Sequence, residues 1–352
     1  MIHLDGSIGG GQLLRTALAL SLHTGKGFTI DNIRINRAPK PGLQAQHLTC
    51  IEAARAMCAN AIIEGATKDS LHLRFVPGKF QPKSMALDIG TAGSVTLLLQ
   101  SLLPALIVGN KRIGLELTGG TTGKWAMPLA YFEQVFLPQL RKFADVNVEL
   151  IRRGYYPAGG GKIKFSIKPL FTAKTVNNAP TFSLLDQGKL LYIKGVSHAS
   201  TTLQDARVAQ RQAESCKLAL KQLGENVHIE TEYADTLCPG SGIVVWSVHQ
   251  IGSELDMQQP IRLGADGLGE KGKPAEDVGF AAANGLLAAI ESKTPVDKYL
   301  ADNLIPYLAI FKGRIRVQEL TPHVRANILV CEAFLGKLFD VNEEDRIISV
   351  LG

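Results

Sequence analysis

The sequence has no CxxC pair, no metal-ligand spacing among its histidines, and no apolar run of the roughly 18–20 residues that a membrane helix needs. Its five cysteines (Cys50, Cys58, Cys216, Cys238, Cys331) are scattered and odd in number, which argues against a zinc site and against a secreted disulfide framework. A reduced, cytoplasmic setting is expected. The opening "MIHLDG" offers neither a basic nor an apolar leader region, so no export signal and no membrane association are expected. His3, His23, His72, His198, His228 and His249 suggest no catalytic grouping, and GxSxG is missing. Dense Lys/Arg clusters and RRM-type signatures are also missing. What remains is a chain of 352 residues, 45% hydrophobic, with net charge +6. That length predicts two domains, and the charge permits an anionic partner such as a nucleic acid without requiring one.

Within this frame a unit repeats. "HLDGSIGGGQLLRTALALSL" is matched by "ALDIGTAGSVTLLLQSLLPAL", each reading as strand, small-residue bend and apolar helix. "FTIDNIRIN" and "RIGLELTGG" follow at matching offsets as strands, then "GLQAQHLTCIEAARAMCA" and "PLAYFEQVFLPQLRKFA" as helices. Two β-rich runs close each unit, giving the order βαβαββ. A third, looser copy runs through "DKYLADNLIPYLAIF", "RIRVQEL", "TPHVRANILVCEAFLG", "KLFDVN" and "RIISVL", without a recognisable opening strand. Between copies two and three, strand and helix patterns of a different order predict a small inserted α/β domain. The predicted fold is thus mixed α/β (α+β). Residues 1–181 form the first two units, 182–294 the insert and 295–352 the third unit.

Three helix starts carry the chemistry. In the first unit, Arg34, Arg37, Lys40, Gln46 and His47 surround "RAPKPGLQAQHL", a set suited to a phosphate or to a solvated basic face. In the second, "GGTTGKWAMPLA" precedes the helix. In the third, Thr321 can cap, Pro322 suits the first turn, and His323 follows. The positive helix end disfavours a protonated imidazole there, which keeps His323 neutral and nucleophilic, unless it is simply a surface residue. "LDGSIGGGQLLR" reads as a tight turn or as an anion site at a helix start. Arg15, just inside that helix, is unfavourable for the dipole and hints at a nearby anion. "RRGYYPAGGG" suggests a sharp hairpin with exposed rings, and Tyr299 and Asp302 share one helix face.

Taken in order, "GGGQLLR", "PGLQAQHL", "GTAGSVTLLLQSLLPAL", "RRGYYPAGGG", "YLADNL" and "HVRANI" resemble the RNA 3′-terminal phosphate cyclase family over most of the chain. The resemblance implies βαβαββ units like the C-terminal domain of translation initiation factor 3, with a smaller inserted domain. It implies ATP-dependent conversion of RNA 3′-phosphate ends to 2′,3′-cyclic phosphates through a histidine–AMP intermediate, with His323 as nucleophile. It further implies adenosine contacts at Tyr299, Asp302, Gln100 and Pro128, and phosphate or RNA contacts at Arg15, Arg37, Gln46 and His47. A divalent metal, Mg²⁺ or Mn²⁺, is also implied, but the family's metal-binding glutamate is replaced by Ile8 in a shorter loop. Thr122 and Ala130 stand where the family tends to have acids or Asn, and Ala326 replaces a threonine. Two rival readings are a cyclase-like protein that acts in RNA or ribosome maturation by binding, and an enolpyruvyl-transferase-like enzyme built of similar units.

Overall fold

The computed structural model describes residues 1–224, 226–252 and 260–350. The amphipathic segments of the first unit fold into one four-stranded sheet. Ile2–Asp5 runs parallel to Phe28–Asp31, which pairs antiparallel with Leu73–Val76, and that strand pairs antiparallel with Ile62–Glu64. The parallel pair requires a crossover, which helix Gly11–Thr24 supplies, and helix Ala45–Ala56 leads to the closing hairpin. The second unit repeats this pairing with Met85–Asp88, Ile113–Gly119, Gly161–Pro169 and Ala144–Arg152. The third does so with Phe182–Leu184, Gly313–Arg316, Ile347–Val350 and Phe339–Asn342. In all three sheets the fourth strand of the unit lies between the second and the third.

Phe182–Leu184 is therefore the missing opening strand of the third unit, and the expected insert boundary at 182 is corrected. The strand is only three residues long and is separated from its partner Gly313–Arg316 by the whole insert, so no local pattern marks it. A second correction concerns "PLAYFEQVFLPQLRKFA". The expected regular helix is a single α-turn (Leu129–Tyr131), a π-turn (Phe132–Phe136) and a 3₁₀ turn (Leu137–Leu140). Pro138 causes this, because it cannot donate to the carbonyl four residues back. That carbonyl, on Gln134, accepts instead from Arg262 Nη1 at 2.7 Å.

The insert is a sheet in the order Val227–Ala234, Lys189–Ser200, Ser241–Gln250, Ile261–Leu268. Helices Val208–Leu220 and Ala275–Glu291 cover one face around Ile193, Cys216, Val245 and Leu286. The other face sends Val244, Trp246 and Val248 into the main core. Each large apolar side chain buried this way stabilises by about 1.5–3 kcal/mol, so the insert is fastened to the body through its own sheet. The approach is close: a Cβ on Gly264 would lie 2.5 Å from the Tyr131 ring. No described helix is long and apolar enough to cross a membrane.

Candidate active site

The Gly-rich loop is shaped first by Asp5. Its carboxylate accepts from the Ser7 N–H (2.9 Å), the Ser7 hydroxyl (2.7 Å) and Asn32 Nδ2 (3.2 Å), and these bonds hold its pKa below the usual carboxylate range. The helix then begins at Gly11 with Gly10 as a cap that has no side chain to offer. Its first amides are left for a ligand or water. Glycine is required at Gly11, where other groups crowd in, whereas Gly10 has ordinary van der Waals room. A Cβ on Gly11 would lie 2.3 Å from His47 Nε2 and 3.1 Å from Arg15 Nη1, and one on Gly10 would lie 3.6 Å from Arg37 Nη2. Gly9 faces Ala326, at the beginning of the second turn of the helix that carries His323. Thus the starts of helices Gly11–Thr24, Ala45–Ala56 and Pro322–Leu335 converge, and their dipoles add.

His47 is a neutral donor in this convergence. The Gln44 N–H donates to its Nδ1 at 2.9 Å, which assigns the proton to Nε2, on the side of Gly11. Burial, with Arg15 and Arg34 adding to it, pushes its pKa down to about 3. Arg34 itself is occupied by the carbonyl of Gly42 (2.8 Å), while Arg37 is exposed at the loop.

Arg15 is buried, and a cycle made of hydrogen bonds and closed through its own helix holds it. Its Nε donates to Gln100 Oε1 (3.0 Å), and Gln100 Nε2 donates to Asn303 Oδ1 (2.6 Å). Asn303 Nδ2 donates to Asp302 Oδ1 (2.9 Å) and to the Tyr299 carbonyl (2.7 Å). Gln12 Nε2, one turn before Arg15, closes the cycle on Asp302 Oδ2 at 3.2 Å. Three helices from all three units are fixed together in this way, with the Nη1 end of Arg15 left beside the Gly-rich loop. Burial raises the Asp302 carboxyl to about 7, against the pull of Arg15 and with the repulsion of Asp297.

His323 stands exposed in the first turn of its helix, which Thr321 caps through the Val324 N–H (3.2 Å). Desolvation lowers its pKa, and the cations Arg37 and Arg15 add to the effect. The helix is positioned by Asn327, one turn on. Pro306 leaves the Asp302 carbonyl without its helical donor, and Asn327 Nδ2 supplies one at 2.6 Å, while its Oδ1 accepts from Thr16 Oγ1 at 2.8 Å.

Of the sequence candidates, His323, Arg15, Arg37, His47, Gln100 and Asp302 thus meet. Gln46 turns to the Ser94 carbonyl (3.2 Å), at the start of helix Val95–Gln100. Tyr299 is exposed, with Lys298 Nζ 5.0 Å from its ring centroid, and only its carbonyl joins the cycle. Pro128 is buried at the start of the Leu129–Tyr131 turn and forms no part of the cycle. Sequence reasoning missed Gln12, Thr16, Asn303 and Asn327, although a polar residue on an apolar helix face was a signal for Thr16 and Asn327. Ile8 is exposed and offers no metal ligand. Among the described residues no group of three or more His, Cys, Asp or Glu side chains could hold a metal ion. The protein side chains here do not fit a resident divalent metal.

The family model for RNA 3′-terminal phosphate cyclase matches residues 7–341. Among similar proteins, the RNA 3′-terminal phosphate cyclase of Pyrococcus furiosus is 43% identical over 345 residues, covering 97% of this chain and 95% of the relative. That of Caldivirga maquilingensis is 43% identical over 361 residues (99% and 97%), and that of Archaeoglobus fulgidus 41% over 343 residues (96% and 97%). With the cluster around His323 and a match spanning nearly its whole length, the chain belongs to the RNA 3′-terminal phosphate cyclase family.

Proposed function

We propose that the protein converts RNA 3′-phosphate ends to 2′,3′-cyclic phosphates at the expense of ATP, with His323 as the covalent nucleophile. The observation that carries this is the meeting of a neutral, exposed His323 with Arg15, Arg37 and three helix starts. A neutral imidazole nitrogen attacks the α-phosphorus of ATP, a P–N bond forms, and pyrophosphate leaves. An oxygen of the RNA 3′-phosphate then attacks the AMP phosphorus and releases His323. Finally the adjacent 2′-OH attacks the activated 3′-phosphorus, loses its proton, and AMP departs. The charge that builds on phosphate oxygens at each stage is met by donors already in place: the amides at Gly10–Gly11, Arg15, Arg37 and the Nε2–H of His47.

Tyr299 offers an exposed ring for the adenine, and Asp302 and Gln100 hold the floor beneath it. Gln46, by its bond to Ser94, lies where the RNA end would pass. Pro128 supports this pocket through its neighbour Met127, whose carbonyl accepts from Thr96 Oγ1 at 2.6 Å. A divalent cation would arrive on the ATP phosphates, held by their oxygens and water. No step above passes through it. The three βαβαββ units are read as copies of the fold seen in the C-terminal domain of initiation factor 3. The inserted domain is read as beginning after Leu184 and ending before Asp297. Five free cysteines support a reducing, cytoplasmic setting.

The test is intact mass after incubation with ATP and Mg²⁺. Wild type should gain one AMP, and His323→Ala should gain none while keeping its thermal melt. An unchanged adduct in that variant would remove His323 from the mechanism.

A further inference from the structure

Two aromatic side chains stand in solvent on loops that meet at the start of helix Val95–Gln100, and the proposed chemistry does not use them. Trp125 is 87% exposed and Tyr156 79% exposed. Trp125 also holds φ at 61°, a conformation that bulky residues rarely adopt. By contrast, Tyr155 is buried and bonds His198 Nδ1 at 2.8 Å, so only the second ring of "RRGYYPAGGG" is presented outward.

Both loops are stitched to the start of helix Val95–Gln100. The Gly120 N–H donates to the Gly93 carbonyl (2.7 Å), and the Gly120 carbonyl accepts from Val95 (3.0 Å). Met127, bonded to Thr96, lies two residues beyond Trp125, a span of at most about 7 Å of chain. The Tyr156 hairpin is tied to the same place. The Thr121 N–H donates to the Gly154 carbonyl (2.9 Å), the Gly154 N–H donates to Thr121 Oγ1 (3.1 Å), and Gly159 is pressed against Thr91 and Ala92. Gln46 reaches this same helix start from the phosphate side. Trp125 has an exposed cation beside it, and another lies at the foot of the Tyr156 hairpin. Lys124 Nζ lies 5.4 Å from the Trp125 ring centroid and also pairs with Glu270 at 3.5 Å. Arg152 holds the hairpin through the Gly160 carbonyl at 2.7 Å, with the rest of its guanidinium in solvent.

Solvent-facing rings interleaved with cations suit single-stranded nucleic acid, whose bases stack while its backbone follows the charge. We propose that Trp125 and Tyr156 form a stacking platform for the bases of the RNA strand that precede its 3′-phosphate. This rests on the cyclase reading of the site and adds to it a means of gripping RNA away from the reacting end. Lys124 and Arg152 contact the phosphates between the stacked bases.

The test uses the full chain and a fluorescent 3′-phosphorylated oligonucleotide of about ten nucleotides, a length suited to one single-strand binding groove. Anisotropy should show binding about 5- to 150-fold weaker in Trp125→Ala and in Tyr156→Ala. Trp125→Phe should retain most of the affinity. A nucleoside 3′,5′-bisphosphate should bind all variants alike, and AMP adduct formation from ATP alone should be unchanged in each. Unaltered oligonucleotide affinity in the Trp125→Ala/Tyr156→Ala double variant would overturn the platform, as would an equal loss in Trp125→Phe. A wild type that forms no AMP adduct would instead overturn the catalytic reading.

Discussion

Asn327 is the most exposed point of the design to a single change. It is 2% exposed and bridges the Asp302 carbonyl, freed by Pro306, to the Thr16 hydroxyl, which belongs to a residue 4% exposed. Asn327→Ala leaves both groups without partners. Each buried orphan costs about 1–3 kcal/mol, so the loss should be about 2–6 kcal/mol. Thr16→Val alone orphans Asn327 Oδ1 and should cost about 1–3 kcal/mol. In the Asn327→Ala background, however, Thr16→Val removes an orphan rather than creating one, so it should cost nothing or restore stability. The coupling between the two positions should therefore be at least about 1–3 kcal/mol, measured as a double-mutant cycle by urea unfolding. Because the same bridge sets the helix that presents His323, single-turnover AMP transfer should also slow in Asn327→Ala. Additive losses in the cycle, or a loss below about 0.5 kcal/mol in Asn327→Ala, the range of an ordinary surface change, would refute the bridging role.

Other outcomes follow from the charges. Arg37 lowers the His323 pKa, so Arg37→Gln should move the acid limb of the pH–rate profile for adduct formation to higher pH; a limb that stays in place would show that Arg37 does not act on His323. The Asp302 carboxyl is raised to about 7 in the fold, against about 3.9 unfolded. The folded state then binds more protons between these values, so this group's contribution to stability is full below about pH 4 and is lost as pH rises through 7. Asp302→Asn should flatten that decline in denaturation midpoints taken from pH 4 to 8, and an unchanged slope would contradict the shift. Ile8→Glu should raise the adduct rate and lower the Mg²⁺ or Mn²⁺ needed for half-maximal rate. Fast wild-type reaction saturating at low metal would show that the loop lacks nothing.

The local signals proved readable wherever chemistry and backbone act within one turn. Thr321, Pro322 and His323 form a helix start because cap, fixed φ and dipole are neighbour effects, and Gly9 and Gly11 mark close approach of other side chains to the backbone. The repeat was legible because apolar periodicity is carried by each element separately. What lay beyond the sequence are relations between distant segments. Strand Ile261–Leu268 was not recognised because Gly264 and Gly267 break its pattern, and those glycines exist to let Tyr131 and Val278 come close. Tyr155 and Tyr156 are the same residue type at adjacent positions, yet one is buried against His198 and the other faces solvent, because Tyr155 closes the turn by pairing with Gly159 while Tyr156 sits within it. The cycle joining Arg15, Gln100, Asn303, Asp302 and Gln12 draws on three helices far apart in the chain. Hydrogen-bond partners at that separation leave no trace in local pattern, so the sequence by itself determined the repeated elements and the helix start at His323. The packing of the three units decided which side chains surround it.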